Sequence, residues 1–212
     1  MEQAEVLRNQ LLGENLVKNL TKRGMAAYYC ATKEEALAKA LELIPENDVV
    51  AWGGSVSIKE IGLLDAVKRR NPVIDRELAD TPEEKMELMR NSLLCDTFLM
   101  SSNAISKDGQ LVNIDGNGNR VAAMIFGPKQ VIMVVGMNKV AGTLEGAIDR
   151  ARQVAAPINA ARFAGLGTPC AKLGTCADCL SPDSICCQMV VTRLSRVKGR
   201  IKVILVGENI GF

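Results

Sequence analysis

Between residues 2 and 22, apolar side chains recur at Val6, Leu11, Leu12, Leu16 and Leu20, with charged residues between them. That spacing predicts an amphipathic helix, ended by Gly24. The apolar run AAYYC at 26–30 reads as a short strand. Thr32 then precedes KEEALAKALELI, where it caps a helix whose first turn carries Glu34 and Glu35; Pro45 stops it. Residues 49–52, VVAW, predict a short buried strand that runs through Gly53-Gly54-Ser55 into a helix over 57–70, closed by Pro72. Thr81-Pro82-Glu83-Glu84 is a capping sequence for a helix to about residue 93.

Residues 95–101 predict the next strand. Ile105 and residues 111–114 predict a pair of strands around Asp108-Gly109. After a second turn at 115–119, residues 121–126 read as a further strand, and residues 131–135 as a central strand buried on both faces. Residues 143–155 predict a helix ending before Pro157, with a second helical piece to Phe163. Residues 188–194 and 200–206 read as two strands around Lys198-Gly199. Strands alternating with crossover helices predict an α/β domain with a mostly parallel sheet. The hairpins expected at 105–126 and 188–206 add antiparallel strands.

Composition narrows the function classes. The net charge of +2 is near balance, and no basic block alternates with aromatic residues, which argues against nucleic acid as a partner. The N-terminal stretch is charged throughout and has no apolar run of the secretory type. The longest apolar run, at 131–137, is too short to span a bilayer, so a cytoplasmic protein without membrane insertion is expected. The chain has no histidine, which removes Ser–His–Asp and Cys–His catalysis and histidine-ligated metal chemistry.

Five of the seven cysteines, Cys170, Cys176, Cys179, Cys186 and Cys187, fall in one stretch rich in Gly, Pro and Asp. In a reducing compartment such clustering points to metal binding or redox work. A sulfur-only donor set selects zinc or an iron–sulfur cluster, and the Cys-x2-Cys knuckle at 176–179 is its strongest element. Adjacent Cys186 and Cys187 point different ways, so at most one is expected to ligate. Cys30 and Cys95 lie on apolar strands and read as core residues.

Three further segments carry chemistry. The glycine turn Gly53-Gly54-Ser55, with Lys59 one turn on, offers backbone N–H groups to an anionic small molecule where α/β sheets place their ligands. It lacks the dinucleotide-binding and P-loop glycine patterns. The polar stretch 101–121 brings Ser102, Asn103, Asp115 and Asn119, whose donors and acceptors suit a bound acid or sugar; many of its Asn, Asp and Gly residues also serve turns. Asn138 and Lys139 follow the central strand at its carboxyl end. No catalytic residue is assigned, although Asp115 or Glu60 could act as base or nucleophile.

WGGS-x-S-x-KEIG at 52–62, SSNAIS-x-DG at 101–109, NIDG-x-GNRV at 113–121, FGPKQVI at 126–132 and VGMNK at 135–139 resemble the LUD (lactate-utilisation) domain family. So do AI-x-R-x-R at 147–152 and AAPINAARF at 155–163. The tail from 168 resembles a single-domain subgroup of that family. The resemblance implies one domain over 1–212, including a cysteine-rich metal-binding segment at 168–190. It implies a three-layer α/β/α fold like that of ribose-5-phosphate isomerase and the CoA transferases, which bind phosphosugars, CoA esters or folates at strand carboxyl ends. In the subgroup pattern Cys170, Cys176, Cys179 and Cys186 take the cysteine places, and Cys187 falls where another residue is usual. Family members tied to lactate oxidation act with iron–sulfur partner proteins to convert L-lactate to pyruvate. This chain departs from them in carrying its own cysteine segment and lacking a ferredoxin-like region, and the CoA transferases' glutamate has no counterpart in its motifs.

The expectation is a protein of small organic-acid metabolism, with Gly53, Gly54, Ser55, Lys59, Asn103, Asp115, Asn119 and Lys139 around an anionic metabolite. The four cysteines would hold an iron–sulfur cluster or zinc, with an iron–sulfur redox partner protein. The apolar residues of the first helix could serve a homodimer. Two alternatives stand beside it: a regulatory ligand-binding module with a structural zinc, and an isomerase- or transferase-like enzyme using Asp115 or Glu60.

Overall fold

The computed structural model describes residues 2–212. Its centre is a six-stranded, all-parallel sheet built from β1 (Ala26–Cys30), β2 (Val50–Trp52), β3 (Val73–Ile74), β4 (Thr97–Met100), β7 (Gln130–Gly136) and β10 (Ile201–Val206), in the order β1-β10-β7-β4-β2-β3. A second, mixed sheet of β5 (Ala104–Ser106), β6 (Leu111–Asp115), β8 (Val140–Ala141) and β9 (Gln188–Thr192) has the order β8-β5-β6-β9. The expected central strand is β7, buried from Val131 onward.

Side chains alternate across the main sheet. Phe98, Met100, Val131, Met133, Val203 and Leu205 pack toward Leu16 and Leu20 of α1 (Gln3–Lys22), Met124 of α6 (Asn119–Ile125), and Ile105 and Leu111 of the small sheet. Leu99, Ile132, Val134, Ile204 and Val206 face the other way, against Ala36 and Ala40 of α2 (Lys33–Leu43), Ile58 of α3 (Val56–Glu60), and Leu63 and Val67 of α4 (Leu63–Arg70). The result is a three-layer α/β architecture whose strands all end on the same side. Thr32 caps α2 by accepting from the Glu35 N–H, and Thr81 caps α5 (Pro82–Asn91) by accepting from that of Glu84. Among the described residues no helix is long and apolar enough to cross a membrane.

Four expectations change. Residues 121–125 belong to the helix α6, not to a strand, and Phe126 just beyond it is extended. The Asp115 carboxylate accepts from the N–H groups of Gly118 and Val121, and Gly118 takes φ +81°, so the Asn-Gly turn opens a helix. A short apolar run carries no periodicity that separates the two outcomes. Residues 188–206 are not a hairpin: β9 pairs antiparallel with β6, whereas β10 enters the main sheet between β1 and β7. The helix predicted over 57–70 breaks at Gly62 (φ +75°) into α3 and α4. Pro157 does not divide two helices. A π-type turn over Ala151–Ala155 joins α7 (Leu144–Arg150) to α8 (Ala156–Ala160) with helical backbone throughout, and Pro157 lies within that run.

Candidate functional site

The carboxyl ends of β2, β4 and β7 meet at Lys139. Its side chain is 2% exposed, and Nζ donates to the hydroxyls of Ser57 (2.8 Å) and Ser101 (3.1 Å). Burial, followed by repulsion from Arg150, lowers the ammonium to about 7; Glu60 opposes the shift and Arg120 adds to it. Arg150 comes from α7 and donates through Nε to the Asn138 carbonyl and through Nη1 to that of Asn103.

Arg120 is the organising cation. It donates through Nη1 to the Ser101 carbonyl and Asn113 Oδ1, and through Nη2 to Asn103 Oδ1 and the Ile114 carbonyl. Its Nε lies 3.5 Å from Asp115 Oδ2. Burial lowers its pKa, Asp115 opposes that, and Arg76 adds to it. Arg120 and Arg150, with Lys139 poised between charge states near neutral pH, thus stand against Asp115 and Glu60, while Arg76 beside Arg120 is paired with Glu77. Two guanidinium groups and an amine at strand ends suit a small carboxylate.

The sequence-predicted residues divide into three groups. Lys139, Asn103, Asp115 and Gly53 come together around Arg120. Gly54 is exposed, with Arg76 beside it; Ser55 caps α3 by accepting from the Ile58 N–H, and Lys59 is exposed. Because α3 is only five residues long, its dipole adds little for an anion. Ser102 is occupied internally, donating to the carbonyls of Ala104 and Val112, and Asn119 opens α6. Arg120 stands out in the sequence only as one of the polar residues of 101–121, and Ser57, Ser101 and Arg150 do not stand out by residue type. Only their places in the segments WGGS-x-S, SSNAIS and AI-x-R-x-R mark those three.

The stretch 209–212 covers this cluster. Gly211 N–H donates to Glu60 Oε2 (2.8 Å), Asn138 Nδ2 donates to the Gly211 carbonyl, and Ile210 N–H donates to Asn138 Oδ1. The Arg162 guanidinium stacks 5.6 Å from the centre of the Phe212 ring.

On the other side of β6, Cys170, Cys176, Cys179 and Cys186 line one cavity of about 170 Å³, walled also by Ile114 and Met189. Cys187 is not among its lining residues, and its thiol donates to the Ser184 carbonyl instead. Burial first, and then the other four thiols of the segment, push the Cys186 thiol up to about 11, even though the residue as a whole is exposed. In the 176–179 knuckle, Asp178 adopts φ +49° and its N–H donates to Cys176 Sγ, while its carboxylate pairs with Arg152. Among the described residues, no three Cys, Asp or Glu side chains are grouped closely enough to hold a single metal ion. Cys30 and Cys95 are buried core thiols, pushed up by burial to about 11 and about 12.

A family model described as the LUD domain matches residues 13–206. The fold is similar to that of a DUF162 family protein from Deinococcus radiodurans, at 15% identity and a TM-score of 0.51, covering 97% of this chain and 99% of that one. Ribose 5 phosphate isomerase A from Neisseria gonorrhoeae matches at 15% identity and a TM-score of 0.34, over 53% of this chain and 54% of that one. The eIF2B delta protein from Chaetomium thermophilum matches at 15% identity and a TM-score of 0.35, over 65% and 57% respectively. No curated protein matches the sequence.

Proposed function

This chain belongs to the LUD domain family, linked in general to lactate utilisation, and we propose that it binds a small organic acid and carries its own redox centre. The observation that supports this most is one shared residue. The Ile114 carbonyl takes a donor from Arg120 in the cationic cluster, and Ile114 also walls the cysteine cavity. The two centres stand back to back across the end of β6.

The organic acid lies with its carboxylate toward Lys139 and Arg150, and Arg120 holds the tips of β4, β5 and β6 in place around it. Cys170, Cys176, Cys179 and Cys186 hold a metal centre. What supports this is the donor chemistry: four thiols share one cavity wall, and the Asp178 N–H is directed at Cys176 Sγ. A single tetrahedral zinc gathers its sulfurs at about 2.3 Å around one point. Four thiolates suit an iron–sulfur cluster equally, and the redox reading takes that choice. When bound, such a cluster supplies one-electron transfer. The partner this reading calls for is a second redox protein. Val6, Leu7 and Leu11 stay exposed on α1 and offer the contact for a second copy of the chain.

Calorimetric titration with L-lactate and pyruvate tests the acid site. Binding weakens about tenfold or more in Arg150→Met, in line with the loss of one charge-assisted contact. It is unchanged in Cys187→Ser. Absence of binding to either acid overturns the assignment.

A further inference from the structure

Lys139 has an unusual setting for a lysine. It is almost fully buried, its amine donates to two hydroxyls, and among the described residues no carboxylate lies within ion-pair distance of it. Repulsion from Arg150 and Arg120 lowers it further, and Glu60 opposes them. An amine so placed carries a lone pair near neutral pH, the condition for a nucleophilic lysine. Arg150 uses Nε and Nη1 on backbone carbonyls and leaves Nη2 for a ligand carboxylate. Ser57 and Ser101 are both acceptors from Nζ and hydroxyls able to pass a proton.

We propose that Lys139 is a carbonyl-capturing amine, taking a small 2-oxo acid whose carboxylate rests on Arg150 while its carbonyl carbon meets Nζ. This rests on the reading of the cluster as an organic-acid site and adds a covalent step to it. The Nζ lone pair forms the C–N bond as the carbonyl π bond breaks. A proton moves from nitrogen to the new alkoxide through Ser57 or Ser101, giving a carbinolamine. The remaining N–H proton then passes through the same hydroxyls to the carbinolamine oxygen, and nitrogen forms the C=N bond as water leaves. Amine and carbonyl are exchanged for imine and water, with no oxidant or reductant.

Entry requires the 209–212 stretch to lift. Gly211 suits that cover because a Cβ there would stand 2.4 Å from Ser57 Oγ and 3.0 Å from Lys139 Nζ. Three hydrogen bonds hold the stretch down, to Glu60 and to Asn138.

The test uses the full chain with glyoxylate, the smallest 2-oxo acid, and sodium borohydride at pH 7.5, followed by peptide mapping. The expected result is one reduced adduct on Lys139, in roughly tenfold or greater excess over any surface lysine, since an ordinary lysine at that pH is almost wholly protonated. Adducts spread evenly over the surface, or none on Lys139, overturn the proposal. A parallel titration with glycolate, which has the carboxylate but no carbonyl, separates the two levels. Glycolate binding without an adduct rejects the covalent step and leaves the acid site standing, whereas loss of both rejects the acid site too. Because both arms use the chain with its own sequence, neither depends on a Lys139 variant folding.

Discussion

Arg120 lies across Gly53, its Cγ and Cδ each 2.7 Å from the point where a Cβ on Gly53 would stand. The glycine is therefore required by its neighbour, and φ plays no part in it. With that space open, the guanidinium reaches the carbonyls of Ser101 and Ile114 and the side chains of Asn103 and Asn113. It joins the end of β4 to both strands of the β5–β6 pair.

Gly53→Ala displaces Arg120 and loosens that junction. The expected cost is about 1–3 kcal/mol, as for other overpacked sites, read from urea unfolding. Gly54→Ala serves as the control, because the nearest atom to its added Cβ is Arg76 Nη2 at 3.1 Å, the far end of a flexible side chain. It is expected to cost much less.

Arg120→Met leaves the Ser101 and Ile114 carbonyls and the Asn103 and Asn113 side chains without this donor and removes the charge beside Asp115. Removing one member of such a buried network costs roughly 3–5 kcal/mol, against which a loss of under about 1 kcal/mol would show the network to be dispensable. Asp115→Ala takes away the acceptor for the Gly118 and Val121 N–H groups and should fray the start of α6, visible as faster amide exchange there.

The pH dependence of stability follows from Lys139. Its folded value is about 7 and its ordinary value 10.5, so between these limits the unfolded chain binds a proton that the folded chain does not. Stability from this group therefore rises with pH across that window, and below pH ~7 the folded protein carries the full burden of a buried ammonium. The groups that face the amine from neighbouring elements are Arg150, Glu60 and Arg120. Lys139→Met should flatten the rise in urea midpoint between pH 7 and 10 and be relatively more stable at pH 6. An unchanged slope would contradict the assignment.

Cys187→Ser should leave metal content untouched, because that thiol is not on the cavity wall. Cys186→Ser should reduce it sharply. Equal effects at both positions, measured by elemental analysis of the purified variants, would argue that the segment binds metal without the order seen here.

Where residues announce their elements by periodicity or caps, the sequence was readable: α1, α2, α5 and the strands around β7 fall where Leu16, Thr32, Thr81 and the 131–135 run indicate. It was opaque where tertiary hydrogen bonds decide. Whether 121–126 forms a strand or a helix turns on the Asp115 carboxylate, and whether 188–206 closes as a hairpin turns on which sheet each strand joins. The site shows the same divide. Lys139, Asn103 and Asp115 were legible as polar residues at strand ends, but Ser57 and Arg150 gain their meaning only from contacts made across many residues of chain.

The most direct measurement is iron, zinc and acid-labile sulfide content of protein purified without oxygen, with Cys187→Ser and Cys186→Ser alongside. Iron matched by sulfide is expected in the unaltered chain and in Cys187→Ser, and its loss in Cys186→Ser. Zinc without sulfide, or no metal at all, would contradict the redox reading.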